Sequence, residues 1–185
     1  AAQTFILGAE VDLFEKNIAQ YLKVKYALGV SSGTDALLLA LMAIDIQPGD
    51  EVIVPTYSFF ATAGVVSRLH AVPVFVDIDP RTFNIDPQKL EETIASFDQR
   101  SKLSGQPLIP KGIIPVDLFG LPADYDAINL IARKHDLFVV EDAAQGFGVC
   151  FILSLPFFEP CQRTAPTEPI PSPSRQTDNV ARCDR

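Results

Sequence analysis

The chain has 185 residues, 48% of them hydrophobic and 21% charged, with a formal net charge of −8. That is enough apolar material for one domain with a substantial core, and the acidic balance argues against a nucleic-acid footprint. No apolar run reaches about 18 residues, so no helix is expected to span a membrane. Ala1-Ala-Gln-Thr4 lacks the basic segment of a secretory leader. Cys150, Cys161 and Cys183 are odd in number and follow no metal-ligand spacing. A reducing cytoplasm is the compartment these features suggest.

In chain order, residues 10–23 put Val11, Phe14, Ile18 and Leu22 at helical spacing, which predicts an amphipathic helix. Tyr26–Val30 reads as a short strand, broken by Ser31-Ser-Gly-Thr34. Asp35–Ile44 is apolar almost all round, the pattern of a helix buried on most sides. Gln47–Asp50 is a turn, Glu51–Pro55 a strand stopped by proline, Thr56–Phe60 a loop, and Ala61–Leu69 a helix. Val72–Val76 is a strand in which Pro73 points to a sheet edge or a strand start. Asp77–Asp86 is a polar loop, and Pro87–Phe97 a helix with Asp86 as N-cap and Pro87 in its first position. Residues 98–111 read as a surface loop, Gly112–Val116 as a strand, Ala123–His135 as a helix and Leu137–Glu141 as a strand. His70 and His135 fall at predicted helix ends, where they suit the negative end of the dipole. Strands alternating with helices predict a largely parallel α/β sheet.

Beyond Gly148 the character changes. Residues 149–185 hold no Gly and no Lys, all three Cys and six of the fifteen Pro. Thr164–Arg175 has no period that could bury a face, a composition expected to be disordered. A reading-frame shift after Gly148 would produce such a segment.

Four stretches carry chemistry. Ser31–Thr34 precedes an apolar helix, where unpaired N–H groups and the dipole favour an anion. Gly33 permits close backbone approach there, but an ordinary N-cap by Ser32 or Thr34 explains the same residues equally well. Tyr57, Phe59 and Phe60 lie just past a strand end, where an aromatic face can stack on a flat heterocycle or simply plug the core. Asp142 ends an apolar run at the expected sheet rim with Gln145 just beyond, and a carboxylate there can hold the nitrogen of a cofactor ring. Asp77-Ile-Asp79 could hold Mg²⁺ or Mn²⁺ on a nucleotide-sugar diphosphate, or be a loop of local caps before Pro80. Neither G-x-x-x-x-G-K-[ST] nor G-x-G-x-x-G occurs, which removes the P-loop and dinucleotide readings.

Taken together, Gly29–Leu37, Pro48–Phe59, Val76–Pro80, Pro115–Gly120 and Val140–Gly146 make the chain from about Phe5 to Gly148 resemble the nucleotide-sugar aminotransferases dependent on pyridoxal 5'-phosphate (PLP), the DegT-like family. The resemblance implies an α/β fold. Residues 1–148 would be an incomplete large domain of a type I aminotransferase, a mostly parallel sheet flanked by helices, followed by a non-family tail over 149–185. It implies PLP as cofactor and a homodimer with its active site near the interface. The reaction implied is transfer of an amino group from glutamate to a nucleotide-linked keto-sugar, in polysaccharide or deoxyamino-sugar biosynthesis. Thr34 and the backbone at Asp35 would bind the cofactor phosphate, Phe59 would stack on the pyridine ring, Asp142 would meet the ring nitrogen and Gln145 the phenolic oxygen. The family's Schiff-base lysine lies downstream of Asp-Ala-Ala-Gln, whereas the last lysine here is Lys134, upstream of it. The expectation is therefore no catalytic residue, no metal site and no turnover by the 185-residue chain. Two other functions stay open: a non-catalytic PLP-fold protein that binds a sugar nucleotide or a partner, and a metal-dependent glycosyl- or phosphotransferase using Asp77 and Asp79. Some relatives in the family are dehydratases or regulators.

Overall fold

A computed structural model describes residues 8–105, 108 and 110–146. The expected tail over 149–185 lies outside the described residues. The elements are α1 (Ala9–Tyr21), α2 (Gly33–Ala43), β1 (Glu51–Pro55), α3 (Phe60–Arg68), β2 (Val72–Val76), α4 (Pro87–Ser104), β3 (Pro110–Ile113), α5 (Tyr125–Lys134) and β4 (Phe138–Val139), with a 3-10 turn over Leu118–Gly120. The four strands form one parallel sheet in the order β2-β1-β3-β4. Pro73 thus sits on an edge strand, as its missing N–H requires.

β1 shows why the sheet lies between two helical layers. All five of its residues are buried, and successive side chains point to opposite faces. Ile53 joins Leu90 and Ile94 of α4 and Ile128 of α5 on one face. Val52 and Val54 join Leu37 and Leu41 of α2 and Val65 and Val66 of α3 on the other. The outcome is the expected α/β architecture, three layers around a parallel sheet.

Chain order also fixes where a ligand belongs. From β1 the chain moves out to β2, then returns to the other side of β1 as β3. Open parallel sheets bind ligands outside the carboxyl ends of strands at such a reversal. The loops after β1 and β3 flank that crevice, and Asp142 follows β4 beside it.

Four expectations need correction. Tyr26–Val30 is not a strand: the Gly29 N–H is donated to Glu15 Oε1 at 2.7 Å rather than to a sheet neighbour, and Tyr26 and Leu28 are exposed. α2 is not buried on most sides, because only Leu37 and Leu41 of its residues are buried while Leu39 and Met42 stay exposed. α4 runs seven residues past Phe97 into the expected loop and ends on Gly105, whose φ of +71° makes the left-handed cap. Arg100 anchors those extra turns by bonding Glu51 at 3.0 Å and lying 4.6 Å from the Phe97 ring centroid. Finally, β3 starts at Pro110, two residues early, and its continuation is one parallel bridge from Val116 to Asp142. α1 forms as expected but buries no residue fully.

Candidate active site at the carboxyl edge of the sheet

Asp142 is held at the rim by its backbone and its side chain together. Its N–H donates to Pro115 O at 2.9 Å, and its carbonyl accepts from Asp117 N at 3.0 Å. These bonds extend the β3–β4 ladder past both strands and deliver the carboxylate at their carboxyl ends. Asp142 is 9% exposed, so the group is desolvated but reachable. Oδ2 accepts the Thr62 hydroxyl at 2.9 Å, and Thr62 Oγ1 lies 3.0 Å from Ser58 Oγ. Thr62 belongs to the first turn of α3, so the loop after β1 and the end of β4 meet across β3. Thr62 carries no signal of this role in the sequence: a threonine among small residues gives no sign of a partner 80 positions away.

Gln145 is exposed, and its Oε1 accepts the Phe119 N–H at 2.7 Å. With the amide oxygen committed, the Nε2 end is the one left to donate. Phe119 presents its N–H from a left-handed conformation, φ 57°, in the 3-10 turn after β3. Asn84 braces the same turn, accepting from Leu118 N at 3.2 Å and donating to Leu121 O at 2.8 Å.

The aromatics after β1 are not core plugs. Tyr57, Phe59 and Phe60 are all exposed, and Phe59 is the N-cap residue of α3. Phe59 and Thr34 line a cavity of about 480 Å³ together with Phe60, Gly64, Ser67 and Arg68. Asp35, Asp142 and Gln145 do not line it; Phe59 and Thr34 share the cavity, and Asp142 is tied to the same helix, α3, by the Thr62 bond.

At the start of α2, Ser32 is the N-cap and accepts from Asp35 N at 3.1 Å. The ordinary-cap explanation of this stretch therefore holds for Ser32, and the Asp35 N–H is already committed. The Asp35 carboxylate accepts from Ser31 Oγ at 2.5 Å and Ser32 Oγ at 2.9 Å. Those two bonds, Ser31's the larger, hold it below the usual carboxylate range. An incoming phosphate would meet that negative charge, while the Gly33 and Thr34 N–H groups carry the favourable end of the dipole.

Asp77 and Asp79 are committed elsewhere. Asp77 pairs with Lys89 at 2.7 Å and Asp79 with Arg81 at 2.8 Å. The Arg81 guanidinium, with the Arg81 N–H, lowers Asp79 to about 2. Each carboxylate answers to its own cation, the arrangement of a capped loop. Among the described residues no cluster of three or more His, Cys, Asp or Glu could hold a metal ion. His135 is the C-cap residue of α5, and its ring lies 3.1 Å from Glu91 Oε1.

With this geometry in view, comparison with known proteins gives the family. Residues 1–151 match the model of the DegT/DnrJ/EryC1/StrS aminotransferase family. The chain belongs to that family. It is 48% identical over 147 residues to a UDP-2-acetamido-2-deoxy-3-oxo-D-glucuronate aminotransferase of Pseudomonas aeruginosa, covering 80% of this chain and 38% of the relative. A DegT/DnrJ/EryC1/StrS aminotransferase from Brucella abortus matches at 47% identity with a TM-score of 0.72, over 78% of this chain and 38% of that one. NtdA from Bacillus subtilis, solved with bound cofactor PMP, matches at 43% identity with a TM-score of 0.68, over 76% of this chain and 30% of that one. The chain thus spans well under half the length of these relatives. Among its described residues, no helix is long and apolar enough to cross a membrane.

Proposed function

We propose that this chain supplies the ring-binding part of a PLP site in a nucleotide-sugar aminotransferase, with residues 1–148 as the partial large domain and 149–185 as a segment outside it. One observation carries the reading: a desolvated carboxylate and an amide with its oxygen already occupied sit together at the sheet rim. A protonated pyridine nitrogen needs an acceptor, which Asp142 offers. A phenolate oxygen needs a donor, which the Nε2 end of Gln145 offers once Phe119 has taken Oε1. The exposed Phe59 ring is available to stack, and Thr34 with the neighbouring N–H groups of α2 suits the phosphate. A ring acceptor, a ring donor, a stacking face and phosphate-binding N–H groups are thus each available at this edge of the sheet, with the Asp35 N–H already given to Ser32. When bound, PLP supplies an electron sink for a carbanion at the amine-bearing carbon.

The chain's own residues orient the ring: Asp142 keeps a proton on its nitrogen, and Gln145 fixes its phenolic edge. In the 185-residue chain no lysine follows Asp142. The last, Lys134, ends α5 and pairs with Glu91. We infer that these residues hold PLP non-covalently and do not complete a transamination. The amino acceptor proposed for the whole protein is a nucleotide-linked keto-sugar, the donor glutamate, the assembly a homodimer and the compartment the cytoplasm. A non-catalytic protein of the same fold that binds a sugar nucleotide or a partner is the second reading.

The test is a PLP titration of the 185-residue chain, followed by borohydride reduction and mass spectrometry. Saturable binding without a phosphopyridoxyl-lysine adduct is expected. An adduct together with transaminase turnover would refute the non-covalent reading.

A further inference from the structure

We propose that Thr62 is a positioning residue, whose hydroxyl, backed by that of Ser58, locks the Asp142 carboxylate in one orientation at the sheet rim. The inference rests on the proposed function only for what the carboxylate faces. Thr62 is 1% exposed and Asp142 9%, so water competes little for either group. An ionised carboxylate can only accept, and a threonine hydroxyl has one proton. Thr62 must therefore spend that proton on Asp142 Oδ2, at 2.9 Å. The contact of 3.0 Å between Ser58 and Thr62 is then fixed in direction, with Ser58 donating. Proton donation runs one way, from Ser58 to Thr62 to Asp142.

The anchoring is rigid at each link. Thr62 is β-branched, so its χ1 is restricted, and it sits in the first turn of α3. Ser58 lies four residues before it, in the loop that leads into α3. The other carboxylate oxygen, Oδ1, receives one long bond, from Ala144 N at 3.4 Å. Oδ2 is thus tethered, while Oδ1 keeps acceptor capacity for a ligand. A threonine that merely packed the start of α3 would leave the orientation of Asp142 unchanged when its hydroxyl was lost. A positioning threonine would not.

The experiment uses the full 185-residue chain with labelled aspartate and threonine. Scalar couplings report the χ1 of Asp142 in the wild type, Thr62→Val and Thr62→Ser. One rotamer is expected in the wild type and in Thr62→Ser, which keeps the donor, and averaging over several in Thr62→Val. A single rotamer in Thr62→Val would overturn the proposal. Should Thr62→Val fail to fold, the wild type decides: a Thr62 hydroxyl proton protected from exchange, with a cross-peak to Asp142, supports the proposal, and a freely exchanging one overturns it. PLP titrations form a separate arm, in which Thr62→Val should bind about tenfold more weakly and Thr62→Ser about as well as the wild type. Averaged Asp142 couplings in Thr62→Val, with no PLP bound even by the wild type, would support the positioning role and refute the cofactor reading.

Discussion

Replacing Gly146 with alanine would put a Cβ 2.7 Å from Oδ2 of Asp117 and 2.8 Å from its Cβ. Comfortable non-bonded separations start near 3.5 Å, so the new methyl is roughly 0.7 Å too close. Asp117 cannot swing aside. It is 0% exposed, and its Oδ1 accepts from Ala123 N at 3.0 Å and from the Tyr125 hydroxyl at 2.8 Å. Its own N–H is donated to Asp142 O at 3.0 Å, so a shift would pull on the rim itself. Overpacking of this kind costs about 1–3 kcal/mol. At roughly 2–4 °C per kcal/mol for a chain of this size, the melting temperature should fall by roughly 2–12 °C. Gly33→Ala is the control, since nothing lies within 4 Å of its added Cβ. Thermal melts followed by circular dichroism read both variants. If Gly146→Ala melted with the wild type while Gly33→Ala behaved the same, the packing of the Asp142–Gly146 turn on Asp117 would be wrong.

Other outcomes follow from the same contacts. Tyr125→Phe removes a buried hydroxyl from the Asp117 carboxylate and should cost about 1.5–3 kcal/mol in urea unfolding, with the m-value unchanged. Ser32→Ala removes the α2 cap and should cost about 1 kcal/mol in the same assay. Asp79 should titrate near 2 by carboxyl NMR, and Arg81→Gln should move its midpoint back toward 3.8. Because the folded value is the lower one, any stability from that pair is present above pH 3.8 and is lost as pH falls toward 2.

Local patterns made much of the fold legible. The β1 strand, the Asp86-Pro87 helix start and the edge position of Pro73 each follow from a rule acting within a few residues. Where expectation and structure part, a distant partner decides. Tyr26–Val30 reads locally as a short strand, but Glu15 takes a backbone donor from it. The last turns of α4 look polar enough for a loop, yet Arg100 ties them to Glu51, 49 positions away. The site divides in the same way. Asp142 and Gln145 could be singled out because acids and amides stand out after an apolar run. Thr62 and the Phe119 N–H could not, because a hydroxyl and a backbone amide acquire their roles only when β1, β3 and β4 lie side by side.

The assignment of Asp142 to the cofactor ring is tested by the affinity of the 185-residue chain for PLP with and without the Asp142 carboxylate. Asp142 supplies the acceptor for the ring nitrogen in this account, so Asp142→Ala should bind at least about tenfold more weakly, the worth of one charge-assisted bond. Asp142→Asn should fall in between, since its amide oxygen still accepts. Equal affinity in the wild type and Asp142→Ala, with both folded by circular dichroism, would contradict the assignment of this rim as the cofactor site.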